Sequence, residues 1–267
     1  MRIEQIEQRP MHRVRFTNAA KRGGTESVML DVHAARASGL PAELDALVLT
    51  SDLQGVVPSW RHGGENVLLG VSLADELAEL SEQGTLPSLE SVGVVLAGDL
   101  YAAPGGDKRG ASGDVRPVWR AMADRFRWVA GVAGNHDHFG TAREQRRLEG
   151  EAGVHLLDCD STVLDGLHIG GVGGVIGDPA RPRRKAEHDF LAALELLMDE
   201  EPDMLVLHEP ARGSRPQRGN SQVRDVIESG ASTLTVCGHV HWDDPLAELA
   251  NGGQVVNVDS RVLVVTR

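Results

Sequence analysis

The chain has 267 residues, 41% of them hydrophobic and 25% charged, which is the composition of a globular protein able to bury a substantial core. A formal net charge of −12 argues against a surface that coats nucleic acid or adsorbs to membranes. The two cysteines, Cys159 and Cys237, are too few for a disulfide framework. The first residues lack an apolar leader, and no run approaches the roughly 18 apolar residues of a membrane span. We therefore expect a cytoplasmic location without membrane association.

Short apolar runs, typical of buried strands, recur along the chain. Segment 11–34 alternates partly between apolar and polar residues and predicts a β-hairpin, so residues 1–45 are expected to be an N-terminal β extension. Later strands are predicted at 47–49, 94–97, 128–130, 204–207, 233–236 and 255–258. Leucines at helical spacing predict helices near 69–80 and 190–198, and segments 102–116, 173–185 and 209–220 have the composition of long loops. This alternation predicts an α/β fold, with residues 1–267 as a single domain.

Residues that commonly bind metals follow five of the apolar runs. They are Asp52, Asp99, Asn135, His208 and His239. Carboxylate and amide oxygens and imidazole nitrogens are the donors that hold divalent metals. Because α/β sheets place ligands beyond the carboxyl ends of their strands, we expect these side chains to converge. Each signature alone is weak, since a Gly-Asp pair or an isolated histidine is usually a turn or surface residue; the ordered set is specific.

In chain order the signatures are Asp52-Leu53-Gln54, Gly98-Asp99, Gly134-Asn135-His136-Asp137, His208-Glu209 and Gly238-His239-Val240-His241. From about residue 52 to residue 241 the chain thereby resembles the calcineurin-like metallophosphoesterase superfamily. The resemblance implies two stacked mixed β-sheets flanked by α-helices, a four-layer sandwich that carries a dinuclear metal centre. It implies that Asp99 bridges both metals. It also implies that Asp52, Gln54 and His241 complete the first metal site, and that Asn135, His208 and His239 complete the second.

The same resemblance implies a reaction. Two cations roughly 3.5–4 Å apart clamp a phosphoryl group and lower the pKa of a bridging water, so a metal-activated hydroxide would hydrolyse a phosphoester or phosphoanhydride. The enzyme would be a phosphodiesterase or a nucleotide-type phosphatase or diphosphatase. His136 would lie over the phosphate and protonate the leaving oxygen, and we expect Asp137 to orient that imidazole and raise its pKa. The alternative for Asp137 is a capping role after a tight turn.

Gln54 departs from the family's usual Asp-x-His motif. A literal Asp-x-His occurs at Asp31-Val32-His33, but Asp52 follows a cleaner strand and precedes Gly55, which permits a tight turn, so the Asp52 motif is preferred. An amide oxygen from Gln54 favours harder ions, so two divalent ions are expected, Mn²⁺ first, with Mg²⁺, Fe, Zn²⁺ or Ni²⁺ as alternatives. The manganese-dependent ADP-ribose/CDP-alcohol diphosphatases of the superfamily also have Asp-x-Gln, which mildly favours a nucleotide diphosphate substrate. If Gln54 does not bind metal, the first site would be loosely occupied.

Basic residues in the long loops are candidates for substrate phosphate contacts. They are Arg183, Arg212 and Arg215, for which solvated loop charge is an equally good interpretation. The expected partner is a small phosphorylated substrate, nucleotides included. Two other functions remain open: a metal-binding regulatory protein whose catalysis has decayed, and a nuclease-like phosphodiesterase with salt-dependent binding of nucleic acid, which the acidic charge disfavours. No sequence feature indicates an oligomeric state.

Overall fold

The computed structural model describes residues 1–59, 63–214 and 216–267. Within these ranges the strands are β1 (Arg2–Ile6), β2 (His12–Ala19), β3 (Thr25–Ser38), β4 (Ala46–Ser51), β5 (Val56–Pro58), β6 (Asn66–Leu68), β7 (Val92–Leu96), β8 (Gly113–Asp114), β9 (Trp128–Val132), β10 (Asp137–His138), β11 (Val154–Leu157), β12 (Asp160–Leu164), β13 (Leu167–Val172), β14 (Val175–Ile176), β15 (Arg184–Lys185), β16 (Met204–Leu207), β17 (Leu234–Cys237), β18 (Leu246–Glu248), β19 (Gln254–Asn257) and β20 (Arg261–Thr266). The helices are α1 (Leu69–Glu82), α2 (Arg116–Ala123), α3 (Ala142–Glu149), α4 (Glu187–Asp199) and α5 (Ser221–Ser229), with a 3-10 turn at Leu89–Ser91. None of these helices is long and apolar enough to cross a bilayer.

Most strands lie in two large mixed sheets. The first has the order β11-β9-β7-β4-β20-β3-β2-β5-β6, with β1 paired to β3, and its β4, β7, β9 and β11 run parallel. The second has the order β12-β13-β16-β17-β19-β18, with β13, β16, β17 and β19 parallel. The hairpin predicted within 11–34 is confirmed, because β2 and β3 pair antiparallel from His12 opposite Val32 to Ala19 opposite Thr25. The N-terminal strands therefore extend the first sheet.

Strand alternation divides the core into three layers. In β4, Val48 packs with the residues of α1 and α2, whereas Leu47 and Leu49 face the second sheet, because neighbouring side chains of a strand point to opposite faces. The middle layer joins Leu49 of the first sheet to Val206 of the second. A third layer lies beneath α4 and α5 and includes Phe190, Leu194 and Ile227. The order helix, sheet, sheet, helix confirms the expected four-layer α/β sandwich.

The carboxyl ends of the parallel strands bring the predicted ligands to one rim. The loop after β4 is joined to the loop after β7 by a 2.9 Å hydrogen bond from the backbone N–H of Asp52 to the carbonyl of Gly98. The loop after β17 is joined to the same place by a 2.9 Å bond from the backbone N–H of His239 to Oδ2 of Asp52. Loops from both sheets therefore meet at the site.

Candidate metal centre

Three of the predicted ligands occupy backbone conformations that L-residues rarely adopt. Asp52, Asp99 and His239 have φ values of 54°, 56° and 67°. Each left-handed residue turns the chain sharply after its strand, at a local energetic cost that packing elsewhere must offset. Gly134 allows the Asn135 loop to approach, because a side chain there would lie 2.1 Å from Oδ1 of Asp99. Such strain concentrated at three polar residues is typical of a functional site.

Asp99, His208 and His239 form the tightest cluster, with one potential ligand atom from each lying within 4.8 Å of the others. Nδ1 of His208 lies 2.7 Å from the carbonyl of Ala97, which is an acceptor, so this nitrogen carries the hydrogen of the neutral ring. The other nitrogen, Nε2, lies 3.3 Å from Oδ2 of Asp99. A histidine whose Nδ1–H donates to a backbone carbonyl presents Nε2 as a metal ligand in a fixed orientation.

Two buried polar atoms at this cluster have no hydrogen-bond partner among the described residues. They are Oδ1 of Asn135 and Nε2 of His208. A buried polar atom without a partner costs about 1–3 kcal/mol, so a native site normally satisfies it. A divalent cation would bind Oδ1 of Asn135 and Nε2 of His208 and would offset the negative charge of Asp99. The donor set Asp99, Asn135, His208 and His239 therefore fits a metal ion.

The other predicted ligands lie around Asp99 but have different partners. Oδ2 of Asp52 accepts hydrogen bonds from Ser51 Oγ (2.7 Å) and from the backbone of His239. Gln54 donates from Nε2 to Oδ2 of Asp99 at 3.1 Å, so its nitrogen, rather than its oxygen, faces the carboxylate. Nδ1 of His241 lies 3.1 Å from the carbonyl of Asp259. Asp52, Gln54 and His241 line one cavity with Asp99.

Buried negative charge dominates the electrostatics. Burial, followed by the charge of Asp259, raises the pKa of Asp52 well above its ordinary value. Burial and the charge of Asp99 raise the pKa of Asp137 to about 6. For His208, burial opposes the charged form, but the carboxylates of Asp99 and Asp52 outweigh it and raise the pKa. Burial and the charge of His208 lower the pKa of His239 to about 4, which leaves that ring neutral and able to ligate. The cluster is short of positive charge.

His136 and Asp137 differ from expectation in how they are held. Asp137 is buried and accepts hydrogen bonds of 2.8 Å from the backbone N–H groups of Asp99, Leu100 and Gly134. The imidazole of His136 instead makes a hydrogen bond with Ser112, whose Oγ lies 3.0 Å from Nδ1. The prediction that Asp137 orients this ring is therefore wrong, because its carboxylate is used to hold the turns that carry the ligands.

Two of the predicted phosphate-binding arginines, Arg183 and Arg212, do not line this cavity. Arg183 donates to Gln145 at 3.0 Å and lies over the ring of Phe139, 5.2 Å from its centroid. Arg212 lines a neighbouring groove with Gln217 and Gly219, and Arg218 borders both this groove and the cavity. Arg215 lies outside the described residues.

The choice of Asp52 over the literal Asp-x-His motif fits the geometry. Asp31 pairs with Arg13 at 2.8 Å, and Nδ1 of His33 lies 2.8 Å from the carbonyl of Glu7. Both side chains of the literal motif therefore have partners within the N-terminal segment, and neither lines the cavity that contains Asp52 and Asp99.

Several residues at the cavity were missed in the sequence. Asp259 lies beside His241 and, as for the predicted ligands, comes just after a strand, so the same pattern would have found it. Ser112 carries no sequence signal of its contact with His136, 24 positions away. The basic residues that line the cavity were also missed; they are Lys21, Lys108, Arg109 and Arg218.

A metal-ligand cluster at the rim of a four-layer α/β sandwich defines a metal-dependent hydrolase. The sequence model of the calcineurin-like phosphoesterase family matches residues 46–243, and the chain belongs to that family. It is therefore a phosphoesterase of the metal-dependent type. Among solved structures, TT1561 of Thermus thermophilus is similar, with a TM-score of 0.57 at 17% identity over 80% of this chain and 88% of that one, which shows a shared fold. No curated protein matches the chain.

Proposed function

We propose that the protein hydrolyses a phosphoester or phosphoanhydride bond in a small phosphorylated substrate, using two divalent ions, of which Mn²⁺ is the first choice. When bound, the ions would supply positive charge for the phosphoryl oxygens and lower the pKa of a coordinated water. The single observation that carries the proposal is the cluster of Asp99, His208 and His239 with the unpartnered Oδ1 of Asn135.

The positions of its two oxygens support the proposed bridging role of Asp99. Oδ1 accepts a 2.9 Å hydrogen bond from the backbone N–H of His136, which fixes the carboxylate in the turn. Oδ2 lies between Gln54, at 3.1 Å, and His208, at 3.3 Å. Asp99 therefore stands between the two proposed sets of ligands: Asp52, Gln54 and His241 for one ion, and Asn135, His208 and His239 for the other.

His136 is placed to handle the leaving group. Its imidazole lines the cavity, next to the turn that carries Asn135, and Ser112 fixes one side of the ring. A ring held in this way can donate a proton to the departing oxygen if it is protonated, and stabilise charge on the phosphoryl group. Asp137 contributes indirectly, by holding the backbone of Asp99 and Gly134.

Replacing the bridge tests the proposal. Asp99→Asn removes one negative charge and should abolish hydrolysis of bis(p-nitrophenyl) phosphate and reduce bound metal measured by mass spectrometry. Asp199→Asn, at the exposed end of α4, is the matched control and should leave both unchanged. Circular dichroism checks that each variant is folded. Near-native turnover by Asp99→Asn would overturn the assignment.

The partners of Gln54 and His241 favour a second candidate, a metal-binding regulatory protein without turnover. Gln54 presents its amide nitrogen to Asp99, and Nε2 of His241 lies 3.3 Å from an Arg261 nitrogen, so one ion would be held less well than the other. Metal analysis separates the two functions. Two bound ions with Mn²⁺-stimulated turnover support the enzyme, whereas one tightly bound ion without turnover supports the regulatory protein.

A further inference from the structure

Basic side chains from three separate segments line the cavity at the candidate metal centre. Its volume is about 590 Å³, within the range of sites that hold small organic ligands. Lys21 comes from the turn between β2 and β3, Lys108 and Arg109 come from the loop after Asp99, and Arg218 comes from the loop after His208. Segments this far apart in sequence converge only through the fold, so the charge is a property of the cavity rather than of one basic loop.

The side chains of these four cations have no hydrogen bond or ion pair in the part of the chain that the structure describes, and none is among the residues with further contacts. Several other arginines are paired with carboxylates: Arg116 with Asp114, Arg120 with Glu151, and Arg127 with Asp165, all at 2.5–2.8 Å. In a chain with a net charge of −12, unpaired cations gathered at one cavity favour an anionic ligand.

The two walls that carry Lys21 and Lys108 are fixed to each other. Gly106 has a φ of 63°, and a side chain there would lie 3.0 Å from Val56 and 3.2 Å from Thr17 of β2. The loop after Asp99 therefore packs closely on the N-terminal hairpin. That hairpin lies before residue 46, where the family match begins, so one wall of the cavity is an addition to the family core.

Building on the phosphoester hydrolysis proposed above, we propose that Lys21, Lys108, Arg109 and Arg218 bind a second phosphoryl group of the substrate. The preferred substrate is then a diphosphate, with one phosphoryl group at the metal ligands and the other bound by these four cations. Lysine offers a point charge and arginine a planar fork of donors, and both bind phosphate oxygens with charge-assisted hydrogen bonds. The N-terminal hairpin acts in this proposal as an element of substrate recognition.

Binding of inorganic pyrophosphate and of inorganic phosphate to the whole protein tests the proposal without turnover. Calorimetry, first without added metal and then with Mg²⁺, should show tighter binding of pyrophosphate. The double substitution K108A/R109A, and separately Lys21→Ala, should weaken pyrophosphate binding at least about tenfold and change phosphate binding much less, since each lost contact joins two charged groups. Arg143→Ala, an exposed arginine of α3, is the control and should change neither affinity.

A kinetic measurement separates this inference from the proposed reaction. The inhibition constant of ADP against bis(p-nitrophenyl) phosphate hydrolysis should rise at least about tenfold in K108A/R109A but not in Arg143→Ala. If the wild-type protein hydrolyses the diester but the variants bind pyrophosphate normally, only the diphosphate site is overturned. If the variants lose pyrophosphate affinity but no metal supports hydrolysis, the diphosphate site stands and the reaction does not. If the variants lose binding to an oligonucleotide but keep their affinity for pyrophosphate, the four cations bind nucleic acid rather than a diphosphate, and the proposal is overturned.

Discussion

Ser112 Oγ lies 3.0 Å from Nδ1 of His136, and this contact joins the loop after Asp99 to the turn that carries Asn135. The loop also passes close to the adjacent ring atom, since a side chain at Gly110 would lie 3.6 Å from Cε1 of His136. The ring is therefore positioned by the segment that also carries Lys108 and Arg109. This loop therefore links the catalytic role proposed for His136 to the substrate contacts proposed for Lys108 and Arg109.

Ser112→Ala removes that contact, and we expect kcat to fall by about tenfold with little change in KM, because a freely rotating imidazole is misplaced for proton donation. Metal content should stay unchanged, because Ser112 is not a proposed ligand. Ser112→Thr keeps the hydroxyl and should restore most of kcat. Steady-state kinetics on bis(p-nitrophenyl) phosphate measure these effects; a Ser112→Ala enzyme with normal kcat would remove the positioning role.

The candidate metal ligands could be predicted because each is a polar residue that follows an apolar run within a few positions. Asp99 after β7 and His208 after β16 need no knowledge of distant contacts. The layered fold was predictable for a similar reason: alternation along β4 assigns Val48 and Leu49 to different faces. Resemblance to a known family then supplied the order in which the two sheets stack.

What sequence could not supply are contacts that only the assembled chain creates. The donors to Asp137 come from positions up to 38 residues away, and Ser112 reaches His136 across 24. Lys21 carries no motif at all, and its position at the cavity follows from the pairing of β2 with β3 and from their packing on the loop around Gly106. Such contacts depend on tertiary packing. The prediction of Arg183 and Arg212 as phosphate contacts rested only on the composition of their loops.

Asp137→Asn tests the role of Asp137 as a support for two turns. An asparagine has one carbonyl oxygen, so its NH₂ group must face at least one of the three backbone N–H donors that the buried carboxylate now satisfies. An unsatisfied buried donor costs about 1–3 kcal/mol, so the free energy of unfolding should fall by that order. Urea denaturation gives this value, and metal titration should show weakened binding as Asp99 shifts. Wild-type stability would contradict this account.

Gly98→Ala should disrupt the metal ligands through the backbone. At Gly98, with a φ of 90°, an added Cβ would lie 2.5 Å from the backbone nitrogen of Gly134 and 2.8 Å from Nδ1 of His208. Gly166→Ala is a matched control, because Gly166 has a φ of 81° but no atom within 4 Å of the added carbon. Conformational strain alone costs about 1–2 kcal/mol in either variant. Only Gly98→Ala should also lose bound metal; equal losses of stability and metal in both would argue against the collision.

Glu144 makes stability depend on pH through the start of α3. Its carboxylate accepts hydrogen bonds from the backbone and hydroxyl of Thr141 and pairs with Arg116, and these contacts lower its pKa to about 2. Because the folded pKa lies below the unfolded value, the stabilisation is present above about pH 4.5 and is lost as pH falls towards 2. Glu144→Gln should therefore lower Tm at pH 7, and its difference from wild type should shrink below pH 4.5. Glu195→Gln, on the exposed face of α4, is the control and should leave Tm at pH 7 unchanged.

Gln54→His tests whether position 54 contacts a metal. In the structure Gln54 reaches Oδ2 of Asp99 at 3.1 Å, so an imidazole at this position would lie beside the carboxylate proposed to bridge the ions. Exchange of an amide for a softer nitrogen donor should raise activity with Zn²⁺ or Ni²⁺ relative to Mn²⁺. Turnover of bis(p-nitrophenyl) phosphate is compared across Mn²⁺, Mg²⁺, Zn²⁺ and Ni²⁺, with Gln54→Glu as a second variant that restores a hard oxygen donor and should retain the preference for Mn²⁺. An unchanged metal ranking in Gln54→His would mean that Gln54 acts only through its hydrogen bond to Asp99.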